Sequence, residues 1–218
     1  MKQRSGVKRS ARVRPAVFFD RDGTLIVDKN YLSKPEEVEL IPGAAEAIRI
    51  LRDVGYRVYV VSNQSGVARG YFSEASVRRV TSHLRALLAA QGARLDGFFH
   101  CPHHPQGTVA RYRKDCRCRK PGPGMVEAAA RRHPLDLRRS FIVGDKIDDL
   151  STARAAGLAG GILVLTGYGK KSRKGIPRGT RAQVARDCLG AARWILRNAT
   201  VPTNVPAAKR TKGAICRK

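Results

Sequence analysis

The sequence predicts an α/β fold built on a parallel sheet, and three observations support this. From Ala16 onward, short runs of β-branched and aromatic residues alternate with longer amphipathic segments, the pattern of repeated strand and helix units. Four of the strand-like runs end in polar, Gly-containing segments, which belong at the rim where open α/β sheets bind ligands. The 218 residues, 42% of them apolar with a single Trp, suit one well-buried domain with tails.

Each element has its own signal. "AVFFD" reads as the first strand, starting at Ala16. In "PGAAEAIRILRDVG", Ala44, Ala47, Ile48, Leu51 and Val54 share one helical face, with Pro42 before the start and Gly55 after the end. "YRVYVVSN" is the second strand, and "SEASVRRVTSHLRALLAAQG" a helix capped by Ser73 and stopped by Gly92. "LDGFFHC" is the third strand and opens a long polar loop. A helix from Pro123 to Arg132, the strand "SFIVGD", the helix "DDLSTARAAG" and the strand "GILVLTG" follow. Beyond Gly169 the periodicity decays into "KKSRKGIPRGTR", read as a mobile loop, then the short strand "AQVAR" and a helix from Leu189 to Asn198. The expected organisation is one domain over residues 16–199 between two basic, disordered tails, 1–15 and 200–218.

The formal net charge of +26 is unevenly spread: +6 falls in residues 1–15, +13 in 169–218 and only +7 between them. Basic ends bind nucleic acid through counterion release or simply stay solvated. No aromatic interleaving accompanies the charge, which favours the solvated reading and makes nucleic acid an unfavoured partner. The basic N-terminus lacks an apolar signal-peptide core, and no run reaches the length of a membrane span. The expectation is therefore a cytoplasmic monomer that does not engage membranes, in a compartment where clustered thiols bind metal more often than they form disulfides.

Two strand ends carry acids: Asp20-Arg21-Asp22-Gly23-Thr24 after the first, and Gly144-Asp145 with Asp148 and Asp149 after the fourth. Asp148 and Asp149 open a helix and read as capping residues. Asp20 closes a buried strand and has no helix turn immediately beside it to cap. Carboxylates gathered at that rim repel one another, and a hard cation such as Mg²⁺ is the natural neutraliser. The i, i+2 spacing of Asp20 and Asp22 across a turn lets one attack a phosphoryl group while the other handles a proton. "SNQSG" after the second strand offers the Ser62 hydroxyl and a nest of backbone amides, and "RKP" supplies the fork of Arg119 and the point charge of Lys120. These groups together define a phosphoryl-transfer site.

The segment "CPHHPQGTVARYRKDCRCRKP" holds Cys101-x-His103 and, twelve residues on, Cys116-x-Cys118. Four soft or borderline ligands in two close pairs form a closed tetrahedral zinc site, structural because no position is left for a reactive water. His100 and His104 are alternative ligands on spacing alone. The basic Arg111, Arg113, Lys114 and Arg117 are expected to offset the negative charge of three thiolates on Zn²⁺. Cys188 is expected to pack near the last helix; Cys216 has no assigned role.

"FFDRDGT", "VSNQSG", the Lys in "CRKP" and "VGDKIDD" resemble, in order and spacing, the four motifs of the haloacid-dehalogenase-like phosphatases. Residues 15–170 are similar to the branch acting on heptose 1,7-bisphosphate, a relative of the histidinol-phosphate phosphatases. The resemblance implies a Rossmann-like sheet with helices on both faces and no large cap domain, the zinc-bound loop being inserted after the third strand. It further implies Mg²⁺-dependent removal of the 7-phosphate through an aspartyl-phosphate, on the route to nucleotide-activated heptose and lipopolysaccharide. Asp20 is the implied nucleophile and Asp22 the implied acid and base. Ser62 and Lys120 are the implied phosphoryl stabilisers. Mg²⁺ is assigned to Asp20, Asp22 (through its carbonyl) and Asp145, with Lys146 beside them. Asp28, Lys29, Asn30, Tyr31, Asn63, Gln64, Ser65, Arg119 and Lys120 are implied contacts of a small sugar phosphate. The resemblance selects His103 as the zinc histidine. Histidinol-phosphate phosphatase, and a nucleic-acid-binding protein or polynucleotide 3′-phosphatase using the basic tails, are the competing expectations.

Overall fold

In the computed structural model, residues 13–176 and 182–199 are described. The basic ends, residues 1–12 and 200–218 with Cys216, lie outside them, so the expectations attached to those tails do too.

The chain runs β1 (Ala16–Phe19), α1 (Ala44–Asp53), β2 (Arg57–Asn63), α2 (Glu74–Ala90), β3 (Gly97–Cys101), α3 (Gly124–Arg132), β4 (Phe141–Gly144), α4 (Ile147–Ala155), β5 (Gly160–Val164), α5 (Gly169–Arg173), β6 (Gln183–Ala185) and α6 (Cys188–Asn198). Six strands form one parallel sheet in the order β3-β2-β1-β4-β5-β6. The chain leaves β1 toward β2 on one side and returns beside β1 as β4 on the other. That switch point opens a crevice at the carboxyl ends of β1 and β4.

The period-2 alternation of β1 divides the core. Val17 and Phe19 face a cluster that includes Ile48 and Leu51 of α1, Leu84 and Leu88 of α2, and Ile195 of α6. Ala16 and Phe18 face the opposite cluster, with Met125 and Val126 of α3 and Ala153 of α4. Helices therefore cover both faces, as the unbroken apolar strands require. Ser73 caps α2 through its hydroxyl, which accepts from the Ser76 amide. Asp187 caps α6 likewise at Gly190, and Cys188 follows it into the core, its thiol pushed up to about 12 by burial.

One expectation needs correcting. The segment read as a loop after Gly169 begins with the short helix α5, whose five residues are too few to show a periodic apolar face; residues 177–181 lie outside the described part. No helix among the described residues is long and apolar enough to cross a membrane.

Ser140, fully buried, joins the sheet to the segment before β4. Its hydroxyl accepts from the Ala16 amide at 2.8 Å and donates to the Asp136 carbonyl at 2.6 Å. Ser140→Ala strands the Ala16 amide and leaves the Asp136 carbonyl only the Arg139 amide, and we expect a loss of about 1–3 kcal/mol in unfolding free energy, read from a urea titration.

Candidate active site

Lys120 stands at the centre of the crevice. Its side chain is 3% exposed, and its ammonium lies 2.9 Å from Asp20 Oδ1 and 2.6 Å from Asp149 Oδ1, with a further bond to the Val61 carbonyl at 3.0 Å. Burial by itself would depress the ammonium's pKa; the Asp149 and Asp20 carboxylates outweigh it and hold the pKa above the ordinary lysine range. The backbone of Lys120 is clamped by Asn63, whose side chain donates to the Lys120 carbonyl and accepts from its amide, both at 3.0 Å.

Asp20 continues β1, its amide bonding the Val143 carbonyl of β4 at 2.8 Å. Its Oδ1 accepts from the Arg21 amide as well as from Lys120. Asp145 leaves β4 in the same direction and is fully buried. Asp145 Oδ2 accepts from the Tyr168 amide at 2.8 Å, while Oδ1 is buried with no partner. Burial first, and the Asp20 carboxylate second, push Asp145 up to about 7. Two close backbone approaches make room for these acids. A Cβ on Gly144 would stand 2.1 Å from the Asp149 carboxyl, and one on Gly23, at φ +77°, would stand 2.3 Å from Asp145 Oδ2.

Asp20, Asp145 and Asp149 thus bring three buried carboxylates within 4.8 Å of one another. One lysine cannot neutralise three charges, and the unpartnered Asp145 Oδ1 is a hard oxygen ligand without a proton donor. This donor set fits a hard divalent cation held by carboxylate oxygens.

Asp22 lines the pocket beside this group and is held by a network of its own. Its carboxylate is gripped by the fully buried Arg21, through Nε at 3.0 and 3.1 Å and Nη2 at 2.9 Å, and by Gln64 Nε2 at 3.0 Å. The same Gln64 amide donates to Ser62 Oγ at 2.8 Å and accepts from Arg21 at 3.1 Å. Arg21, Asp22, Gln64 and Ser62 are therefore one network joining the ends of β1 and β2, and the carboxylate of Asp22 stands outside the three-carboxylate group.

The pocket outside this centre is lined by Asp22, Asp28, Asn30, Tyr31, Asn63, Gln64, Ser65 and Lys146, together with Arg21, Leu32, Phe72 and Tyr168. The Lys146 ammonium, which has no lone pair to offer a metal, lies 4.7 Å from the centroid of the Tyr168 ring and 3.9 Å from Asp28. Lys29 pairs with the exposed Glu39 at 3.4 Å and does not line the pocket. Arg119 also lies outside the lining, with its guanidinium 3.4 Å from the His103 carbonyl.

Asp149 is a site residue that its pattern in the chain conceals, because its capping role is real. Its Oδ2 accepts from the Lys146 amide at the start of α4 while Oδ1 meets Lys120. The one signal for it is a second acid one helical turn beyond Asp145. Arg21 and Tyr168 carry no motif signal of their own.

Behind Lys120, all six separations among the sulfurs of Cys101, Cys116 and Cys118 and His103 Nδ1 fall between 3.1 and 3.7 Å. Four ligands at zinc bond lengths of about 2.0–2.3 Å stand at the corners of a tetrahedron with edges near these values. Burial raises the Cys101 thiol pKa well above its ordinary range, so thiolates gathered here need a cation, and the donor set fits a closed zinc site. His100 instead faces Glu74 at 3.6 Å and His104 faces Arg69 at 3.3 Å, which leaves His103 as the histidine of the cluster. Of the basic residues expected to balance it, Arg117 pairs with Glu127 at 2.5 Å and Arg111 lies over the Tyr112 ring.

Acids at the ends of β1 and β4, a hydroxyl at the end of β2 and a lysine from the loop after β3 define the hydrolases that transfer phosphoryl groups on a Rossmann-like sheet. Family models described as haloacid dehalogenase-like hydrolase and HAD-hydrolase-like match residues 29–157 and 117–205. D-glycero-β-D-manno-heptose-1,7-bisphosphate 7-phosphatase of Rhodopseudomonas palustris is 47% identical over 151 residues, 69% of this chain and 84% of the relative. The enzyme of that name from Escherichia coli K12 is 44% identical over 153 residues, 70% and 80% of the two chains. The crystal structure of D,D-heptose 1,7-bisphosphate phosphatase from B. bronchiseptica, complexed with magnesium and phosphate, superposes with a TM-score of 0.74 at 36% identity, over 85% of this chain and 99% of that one. The chain belongs to the haloacid dehalogenase-like hydrolases, in the branch formed by these heptose-bisphosphate phosphatases.

Removing the Lys120 charge leaves Asp20 and Asp149 facing each other without a counterion. Lys120→Met is expected to lower unfolding free energy by about 3–5 kcal/mol in urea without added divalent cation, and a midpoint equal to wild type would contradict the charge balance described above.

Proposed function

We propose that this chain is a Mg²⁺-dependent phosphatase that removes the 7-phosphate of D-glycero-D-manno-heptose 1,7-bisphosphate. The observation that carries the reading is Asp20, held by Lys120 beside the open oxygen of Asp145, in a chain 47% identical to a phosphatase of that name.

In this reading Asp20 is the nucleophile. Both of its described contacts fall on Oδ1, which leaves Oδ2 for the attack in this reading. Oδ2 forms a bond to phosphorus, the bond from phosphorus to the C7 oxygen breaks, and Asp22, which enters this step as the carboxylic acid, gives its proton to that oxygen and becomes the carboxylate. Asp22 then takes a proton from water, which attacks the aspartyl-phosphate and frees Asp20. Ser62 and Lys120 stabilise the equatorial oxygens, and charge is the larger part of that task. Mg²⁺, held by Asp20, Asp145 and the Asp22 carbonyl, would neutralise phosphoryl charge and keep the group in line. Asp149 keeps Lys120 in place. Asp28, Asn30, Tyr31, Asn63, Gln64, Ser65 and Lys146 are the proposed contacts of the sugar phosphate. An enzyme of this kind, serving nucleotide-activated heptose and lipopolysaccharide, works in the cytoplasm.

Zinc has a supporting part. Cys118 lies two residues before Lys120, and the Cys101 carbonyl accepts from the Gln64 amide at 2.8 Å. Zinc bound there would fix the end of the loop that carries Lys120, so that orientation entropy is removed before substrate arrives.

Phosphate release from heptose 1,7-bisphosphate and from histidinol phosphate tests the substrate. The bisphosphate is expected to show the higher kcat/KM, and preference for histidinol phosphate would sink the assignment. In the same assay Asp20→Asn is expected to abolish release from either substrate.

For the zinc loop, Cys118→Ala is expected to lose the metal by elemental analysis and to lower kcat on the order of 100-fold through displacement of Lys120. An unchanged kcat with zinc gone would disprove the coupling.

A further inference from the structure

The loop at residues 28–31 is held in an uncommon backbone conformation. Asn30 and Tyr31 are the two non-glycine residues with positive φ among the described residues, at +48° and +58°. Asn tolerates this region, but a bulky ring side chain rarely adopts it. Successive residues persist there only where the surroundings over-determine them, and such places cluster at ligand clamps.

Local contacts supply part of the restraint. The Asn30 amide donates to Asp28 Oδ1 at 2.9 Å, and the Tyr31 ring packs edge-on against Tyr71 with centroids 4.7 Å apart. The remaining tie comes from a distant segment. The Tyr168 hydroxyl donates to Asn30 Oδ1 at 3.1 Å, across 138 residues of sequence.

Tyr168 is itself firmly seated on the catalytic centre. Its amide donates to Asp145 Oδ2, and two residues earlier Thr166 Oγ1 donates to the Gly23 carbonyl at 2.6 Å. A Cβ on the intervening Gly167 would stand 2.4 Å from Asp145 Oδ2 and 2.6 Å from the Gly23 Cα, so this turn lies directly on the first and last acidic motifs. The Tyr168 ring underlies the Lys146 ammonium, which also faces Asp28. One residue therefore spans from the metal-site acid, through its amide, to the recognition loop, through its hydroxyl.

We propose that Tyr168 is a positioning residue, which holds the 28–31 loop preformed for the sugar phosphate by tying Asn30 to the Asp145 end of the sheet. This deepens the phosphatase reading and rests on it. A preformed loop gives up less conformational freedom when substrate binds, so the tie acts on substrate affinity. The phosphoryl chemistry at Asp20 does not pass through the Tyr168 hydroxyl.

The test is a double-mutant cycle on steady-state hydrolysis of heptose 1,7-bisphosphate by the full chain. Tyr168→Phe removes the hydroxyl but keeps the ring under Lys146 and the amide on Asp145. It is expected to raise KM about three- to tenfold, the range of one lost neutral hydrogen bond, with the change in KM exceeding that in kcat. Asn30→Ala is expected to do the same, and the double variant to be no worse than the more severe single one. A wild-type KM for Tyr168→Phe, or effects of the two substitutions that multiply, overturns the assignment. If Asn30→Ala also leaves KM unchanged, the loop's part in substrate binding falls, and the Tyr168 proposal with it; if Asn30→Ala alone raises KM, that part stands and only the tie to Tyr168 is rejected.

Discussion

An ammonium group buried between two carboxylates is the constraint around which the rest of this molecule is arranged. Lys120 arrives from a loop after β3, Asp20 from β1 and Asp149 from α4, so three separate stretches of chain must reach one point. Isolating any of these charges in the interior would be costly, whereas together they offset one another. The sheet order makes the meeting possible, because β1 and β4 lie side by side at the switch point and β2 delivers Asn63 to grip the lysine's backbone. The pair at Lys120 leaves negative charge over at Asp145, and that remainder is what suits the crevice to a divalent cation.

Catalytic positioning here is divided between two kinds of support. Side chains near the reacting groups are oriented by a polar network: Arg21 and Gln64 fix Asp22, and Gln64 extends the same order to Ser62. The backbone of the lysine is gripped by Asn63, and the Cys/His cluster begins two residues upstream of it. The polar network is stiff because Gln64 bonds to all three of its other members, and low local dielectric strengthens those bonds. The cluster, by contrast, has to gather three thiols and an imidazole in a polar loop with little core of its own, a task suited to a metal.

Much of this is legible in the sequence, for identifiable physical reasons. The parallel sheet shows because fully apolar runs such as "AVFF" are buried on both faces, and each is followed by its own helix. Asp20, Asp145, Lys120 and the Cys/His cluster stand out because acids, lysine and cysteines at strand ends or in close pairs seldom serve packing or solubility alone. Asp149 is hidden because it is also a genuine helix cap, and one role masks the second. Arg21 is hidden because arginine is usually a surface residue, and only the structure reveals that it is buried against Asp22 and Gln64. Lys29 and Arg119 fit the motif spacing, but spacing along a chain does not fix the direction of a long flexible side chain, and both point elsewhere.

The double duty of Asp149 has a consequence for anyone wishing to engineer the protein. Improving helix caps is a common and safe route to thermal stability, since caps ordinarily sit apart from function. Here one carboxylate oxygen begins α4 and the other holds the active-site lysine. A library selected for robustness at this helix start would also change what holds the Lys120 ammonium. The position belongs among the residues to leave fixed.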